Sequence, residues 1–178
     1  MFRRTPTGRL VVRLDGVERG VLRSLAGQVL ELVEPGEIDP LAELVGIDPE
    51  ATRPVDPALL RLFPDAYPGD DEAAGQFRRF TERGLRSLKA ANAQTLLDTL
   101  ERSGEKVTLT QPEAQAWLLT LTDVRLALAT RLGIEDDDWE RPGDDDPVAS
   151  QFYVYDWLTH VQETLVLAMT GEPPPDSP

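Results

Sequence analysis

The chain has 178 residues, which suits one domain with a sizeable core. Its formal charge of −14 disfavours general affinity for DNA or anionic membranes, because the overall field repels phosphate groups. The absence of cysteine excludes disulfides, thiolate catalysis and cysteine-ligated zinc. Because the first residues lack the apolar run of a signal peptide and no run reaches the roughly 18 residues of a membrane span, we expect a cytoplasmic protein.

The N-terminal part predicts a strand followed by a helix. Arg9–Leu14 is a short β candidate, and the dipeptide Asp15-Gly16 that follows it is a typical turn. Val17–Val33 places its larger apolar residues near one face of a helix.

Residues 38–68 are interrupted by prolines and cannot form one long element. Two Asp-Pro pairs, an N-cap followed by the preferred first helical residue, predict short helices at Pro40–Val45 and Pro57–Phe63. Several leucines in this region favour burial, so we interpret it as an ordered cover on the core. A loose linker is the alternative.

Asp71–Arg102 carries the longest helical pattern of the chain. Lys106–Leu109 is a second short β candidate, which could pair with the first as a two-stranded ribbon. The pattern places large apolar residues on a broad face of the long helix, namely Phe77, Phe80, Leu85, Leu88, Leu96 and Leu100.

Gln111–Leu132 predicts a central helix. Thr110 and Glu113 have the spacing of a capping box, and Pro112 fits the first turn, where a missing N–H costs nothing. This helix is apolar on both sides, which is typical of a helix between two layers. One side carries Trp117, Leu121, Val124, Leu128 and Leu132, and the other carries Leu119, Leu126 and Ala129.

Residues 133–146 predict a solvated acidic loop, since they lack the ligand pattern of a calcium-binding EF-hand loop. Asp146-Pro147 then opens a last helix that reaches about Met169, and residues 171–178 predict a disordered tail. The predicted fold is therefore mainly α: one domain over residues 1–170, built as a helical bundle around a central helix with a small two-stranded β accessory.

Two groups of charged residues are candidates for contacts. Arg79, Arg83 and Arg86 lie on one side of the long helix, where they could meet an acidic protein surface or pair internally, with nucleic acid the least favoured partner. Arg125 lies on an apolar side of the central helix, where an unpaired charge is costly, and Asp156 is the expected partner in a structural ion pair.

A metal site on the last helix is a weaker hypothesis. Asp156, His160 and Glu163 share one helical face and could present three ligands. The chain has a single histidine and no evident second helix with ligands, so a polar stripe is the preferred interpretation. No cofactor and no catalytic residues are predicted.

Three stretches together resemble one protein family: Leu62–Ala93, Ala116–Asp138 and Tyr153–Leu165, with the blocks PDAY, FRRFTE, RLGI and YDWL. The family is the actinobacterial AosR-like family, encoded near the Clp-protease adaptor ClpS. The resemblance implies a cytosolic regulator that works with a sigma factor and senses oxidation through a Cys-x-x-x-Cys pair. Since this chain has no cysteine, that redox switch cannot operate here.

We therefore expect a non-enzymatic regulatory or interaction protein that acts on transcription through protein contacts, with a sigma factor as a candidate partner. An adaptor for Clp proteolysis and a metal-dependent enzyme that uses the last helix are the alternatives. No direct binding to nucleic acid or membrane is expected. Leftover apolar surface on the central and last helices also predicts a homodimer with helices at its interface; a monomer closed by residues 38–68 is the alternative.

Overall fold

The computed structural model describes residues 2–34, 53–102, 104–134, 142–143 and 145–171. The predicted helix Pro40–Val45, most of the acidic loop and the tail lie outside these residues. The mainly helical fold is confirmed. In chain order the described elements are strands β1 (Phe2–Arg4) and β2 (Leu10–Arg13), helices α1 (Gly16–Val33), α2 (Pro57–Leu62) and α3 (Asp71–Leu100), strand β3 (Lys106–Leu109), and helices α4 (Gln111–Leu132) and α5 (Ala149–Thr170).

The sheet has three strands where the sequence predicts two. β2 pairs antiparallel with β3, as expected, and β1 adds to the other side of β2. β1 has only three residues, two of them arginine, so it shows no alternation that would indicate a strand. The turn after it is recognisable from Thr5 to Gly8, and Gly8 has a φ of 80°, which favours glycine.

The inner face of the sheet closes one end of the helical core. In β2 and β3 alternate residues are buried, whereas their neighbours are exposed or half-buried, and in β1 Phe2 is buried. The inward side chains are Phe2, Leu10, Val12, Val107 and Leu109.

α4 is the central helix, with the bounds that the sequence predicts. The capping box is present: the Glu113 carboxylate accepts from the Thr110 N–H at 2.7 Å, and the Glu113 N–H donates to the Thr110 hydroxyl at 3.4 Å. α4 contacts α1, α2, α3, α5 and β3, so it has neighbours around most of its circumference.

Trp117 on α4 joins three elements in the core. Its side chain is fully buried, and its indole N–H donates to the Thr99 hydroxyl of α3 at 2.7 Å. The Phe2 ring of β1 meets the Trp117 ring edge to face, with the centroids 5.8 Å apart. The buried indole N–H therefore has a partner, and the core is continuous from the sheet to the helices.

Candidate protein-interaction surface

The N-terminal half of α3 presents its apolar side to solvent. Phe80 is 62% exposed and Leu88 is 55% exposed, and Phe77 and Leu85 are also exposed. These four residues belong to the broad apolar face that the sequence indicates, and the structure exposes this part of it. Arg78 and Glu82 from the same stretch of helix are buried instead.

One straight face of α3 is buried along most of the helix. Its buried residues recur at the three- and four-residue steps that place side chains on one side of an α-helix. In the C-terminal half the buried residues of this face are apolar or small, whereas the N-terminal half buries two charged side chains after Ala74. In order along the helix, the buried residues on this face are Ala74, Arg78, Glu82, Ala93, Leu96 and Leu100.

The buried charges are paired with groups from the loop before α3. The Arg78 guanidinium donates to the Asp65 carboxylate at 2.7 Å and to the Phe63 carbonyl at 3.4 Å, and it also donates to Glu82. Glu82 in turn accepts from Arg86 at 2.8 Å. Because each buried charge has a partner of opposite sign, the cost of its desolvation is offset.

Phe63 lies at the centre of this network. The guanidinium carbon of Arg86 is 4.7 Å from the centroid of the Phe63 ring, and the Lys89 ammonium is 5.7 Å from it. Both cations are within the range of cation–π attraction. Asp65 also forms an ion pair with Arg53, whose Nε lies 3.2 Å from the carboxylate, and this pair ties the segment before α2 to the same cluster.

A second ion pair joins α3 to the central helix. The Lys89 ammonium donates to the Asp123 carboxylate at 2.6 Å, and the Asp123 side chain is only 5% exposed. Burial raises the pKa of Asp123, and the hydrogen bond from Lys89 opposes part of this rise. Two independent sets of charges thus hold the same side of α3 against the molecule.

Exposed residues of α3, together with Tyr67 from the preceding loop, form an apolar surface, which we call the outer stripe and define as Tyr67, Phe77, Phe80, Leu85 and Leu88. The rings of Tyr67 and Phe77 meet edge to face with their centroids 6.0 Å apart. Phe77 and Leu88 are eleven residues apart on the helix, so the stripe is about 16 Å long. Contiguous exposed apolar surface with aromatic residues is typical of protein-binding sites.

The predicted arginine stripe is divided between two environments. Arg79 is exposed on the side of α3 away from Phe77 and Leu88, whereas Arg83 and Arg86 are half-buried, and Arg86 pairs with Glu82. Sequence reasoning did not identify the network of Arg78, Glu82 and Asp123. The i, i+4, i+8 spacing of Arg78, Glu82 and Arg86 was the signal that could have found it.

Arg125 joins α4 to α5. Its guanidinium donates to the Gln162 side-chain carbonyl at 2.8 Å and lies 5.3 Å from the centroid of the Tyr155 ring. Its Nε atom is buried without a hydrogen-bond partner among the described residues. The ion pair between Arg125 and Asp156 stays a prediction.

The described residues hold no group of three or more histidine or acidic side chains that could bind a metal ion. Asp156, His160 and Glu163 all lie on α5 within the described part, and they do not form such a group. Among the described helices, none is both long enough and apolar enough to cross a membrane.

Comparison with known proteins identifies the family. Residues 1–169 match the domain of unknown function DUF2017. The oxidative stress regulators AosR of Mycobacterium tuberculosis and Mycobacterium bovis are each 38% identical to the chain over 172 residues, which cover 86% of this chain and 79% of theirs. The putative oxidative stress regulator AosR of Mycobacterium leprae is 39% identical over 170 residues, covering 85% of this chain and 78% of its own. No solved structure shows significant similarity to the chain. The chain therefore belongs to the DUF2017 family, which includes the AosR oxidative stress regulators.

Proposed function

We propose that this protein is a non-enzymatic regulator that acts through protein contacts made by the outer stripe of α3. The observation that carries the proposal is the exposure of two phenylalanines and a leucine along one side of a helix whose other side is fixed by buried ion pairs. The named members of the family are regulators, and we expect a regulatory role of this protein to be exercised through the outer stripe.

The outer stripe is suited to a protein partner because its side chains are large and their backing is rigid. Aromatic residues contribute much contact area with little loss of side-chain entropy, and they dominate the energetics of many interfaces. The charged network behind the stripe prevents α3 from rotating to bury Phe80, since rotation would expose the partners of Arg78 and leave other charges unpaired.

Two partner classes follow from the family, and we place a transcription factor of the sigma class before a component of Clp proteolysis. Regulation by oxidation in this chain does not use its own cysteines, since it has none. The signal would therefore reach the protein through its partner.

The test is affinity capture from extracts of the native host. The captured proteins are identified, and each complex is then reconstituted from purified components. The test variant replaces Phe80 and Leu88 with serine. The matched control replaces Val17 and Val55 with serine, because these residues are even more exposed but lie outside α3. We expect the wild type and the control to bind a sigma factor directly, and the test variant to bind at least about tenfold more weakly, as for loss of central apolar contacts.

Equal binding by the test variant and the control would contradict the use of the outer stripe. Direct binding to a Clp component, lost in the same variant, would replace the first partner class by the second. Light scattering on the purified wild type and test variant checks the predicted homodimer. If the mass falls from two chains to one in the test variant, the stripe serves self-association and the proposal for an external partner fails.

A further inference from the structure

Beyond the α3 surface, the sheet carries charge of the opposite sign to the rest of the protein. The first 14 residues contain four arginines and no acidic residue, although the whole chain has 32 acidic and 18 basic residues. The three strands bring part of this charge together. The solvent side of the sheet, which we call the basic face, presents Arg3, Arg9, Arg13 and Lys106, all exposed, with Val11 and Thr108 between them.

The register places like charges directly opposite each other. Arg13 of β2 pairs with Lys106 of β3, and Arg3, Val11 and Thr108 form the neighbouring row. Directly opposed like charges on adjacent strands are destabilising. Among the described residues, neither Arg13 nor Lys106 has an acidic ion-pair partner. The fold thus tolerates an uncompensated repulsion at this place.

We infer that the basic face binds a short acidic segment of a partner polypeptide. The face extends about 13 Å from Arg9 to Arg13 along β2 and about 10 Å across the three strands, which matches four or five residues of extended chain. Carboxylates on alternate residues of such a segment recur at the same spacing as the rows of the sheet. Binding them removes the repulsion between Arg13 and Lys106.

Two features favour an acidic peptide over a nucleic acid. The basic face has no aromatic side chain, since Phe2 points into the core, so it offers no platform on which bases could stack. A nucleic acid longer than the face would also meet the acidic remainder of the protein, whereas a short segment stays within about one Debye length of the arginines.

The test is fluorescence anisotropy at low and physiological salt with labelled probes. The first probe is a peptide of alternating glutamate and serine, the second is the same peptide with glutamine for glutamate, and the third is a thymidine oligonucleotide of equal charge. We expect the wild-type protein to bind the glutamate peptide, with an affinity that falls as salt rises, and to bind the other two more weakly.

Arg13→Glu is the informative variant because it acts on binding and stability in opposite directions. It places a carboxylate opposite Lys106, so the melting temperature should be unchanged or higher. Affinity for the glutamate peptide should fall about tenfold, because one attraction is replaced by a repulsion. Lys106→Glu should behave in the same way, and the double variant should lose the gain in stability while binding more weakly still. Arg79→Glu, the same charge change on α3, should leave the affinity within about twofold.

Unchanged peptide affinity in Arg13→Glu, or equal losses in Arg13→Glu and Arg79→Glu, would overturn the inference. Tighter binding of the oligonucleotide than of the peptide would overturn it in favour of a nucleic acid. A loss of dimer mass in Arg13→Glu would overturn it in favour of a second copy of this chain. The outer-stripe variant keeps the basic face intact, so its result is independent of these outcomes.

Discussion

Residues 71–89 and residues 90–100 of α3 belong to one helix, but they bury opposite kinds of side chain. The C-terminal part buries Leu96 and Leu100 in the core beside Trp117. The N-terminal part buries Arg78 and Glu82 and leaves Phe80 in solvent. The buried direction stays the same along the helix, and only the character of the residues that occupy it changes.

The difference shows that the environment decides which face of a helix is buried. Beside the C-terminal part lie the apolar side chains of the core, so leucines enter it. Beside the N-terminal part lie carboxylates, Asp65 from the preceding loop and Asp123 from α4. Cations on α3 pair with these carboxylates, whereas phenylalanine at the same positions would leave the carboxylates unpaired. An unpaired buried charge costs more free energy than an exposed aromatic ring.

The largest effect is expected from breaking the buried network. Arg78→Ala leaves Asp65 and Glu82 without their main shared partner, so the free energy of unfolding should fall by about 3–5 kcal/mol. Urea unfolding measures this change. Arg79→Ala is the matched control, since Arg79 is adjacent in sequence and exposed, and its effect should stay within about 0.5 kcal/mol. Equal effects of the two variants would mean that the network does not hold the N-terminal part of α3.

The same substitution in the two parts of α3 tests the comparison directly. Leu96→Ala removes a fully buried side chain and should lower the free energy of unfolding by about 2–5 kcal/mol. Leu88→Ala removes an exposed side chain, so its effect should stay within about 0.5 kcal/mol. Thermal melts of both variants measure these two changes in stability. A loss of several kcal/mol in Leu88→Ala would show that the outer stripe is covered in solution.

The smallest effect on stability is expected from the ion pair between Arg102, which follows α3, and Glu113. A hydrogen bond from Arg102 lowers the pKa of Glu113 from 4.5 to about 2. Since the pKa is depressed in the folded state, the stabilisation is complete above about pH 4.5 and is lost as the pH falls towards 2. Arg102 is half exposed, so solvent weakens the pair.

Glu113→Gln should therefore lower the free energy of unfolding by about 1–2 kcal/mol at neutral pH, through the ion pair and the capping box together. Urea unfolding at several pH values measures the difference from the wild type. It should shrink below about pH 4.5 and become small near pH 2. A difference that is constant with pH would show that the charge of Glu113 contributes nothing.

The sequence by itself determined the elements and most of their ends. Helix ends are local, because a capping residue and its partner lie within one turn, and the capping box of Thr110 and Glu113 accordingly fixed the start of α4. The glycine at the end of α4, Gly133, adopts the left-handed conformation that ends many helices. The central position of α4 followed from apolar residues on both of its sides. The strand β1 was missed because three residues carry too little pattern.

Only the tertiary structure decided which side of α3 faces the core, and hence which of its apolar residues are exposed. Periodicity places Phe77, Phe80 and Leu88 on one face but does not say that this face is buried. The answer depends on Asp65 and Asp123, which lie 13 and 34 residues from their partners Arg78 and Lys89 along the chain. Asp65 reaches Arg78 only because the loop before α3 folds back on the helix, and Asp123 reaches Lys89 only because α3 packs against α4. The energies of these charge pairs depend on distance and burial, which a local pattern does not contain. The basic face also depends on the tertiary structure. Its arginines are close together in the sequence, but Lys106 joins them only through the pairing of β2 with β3.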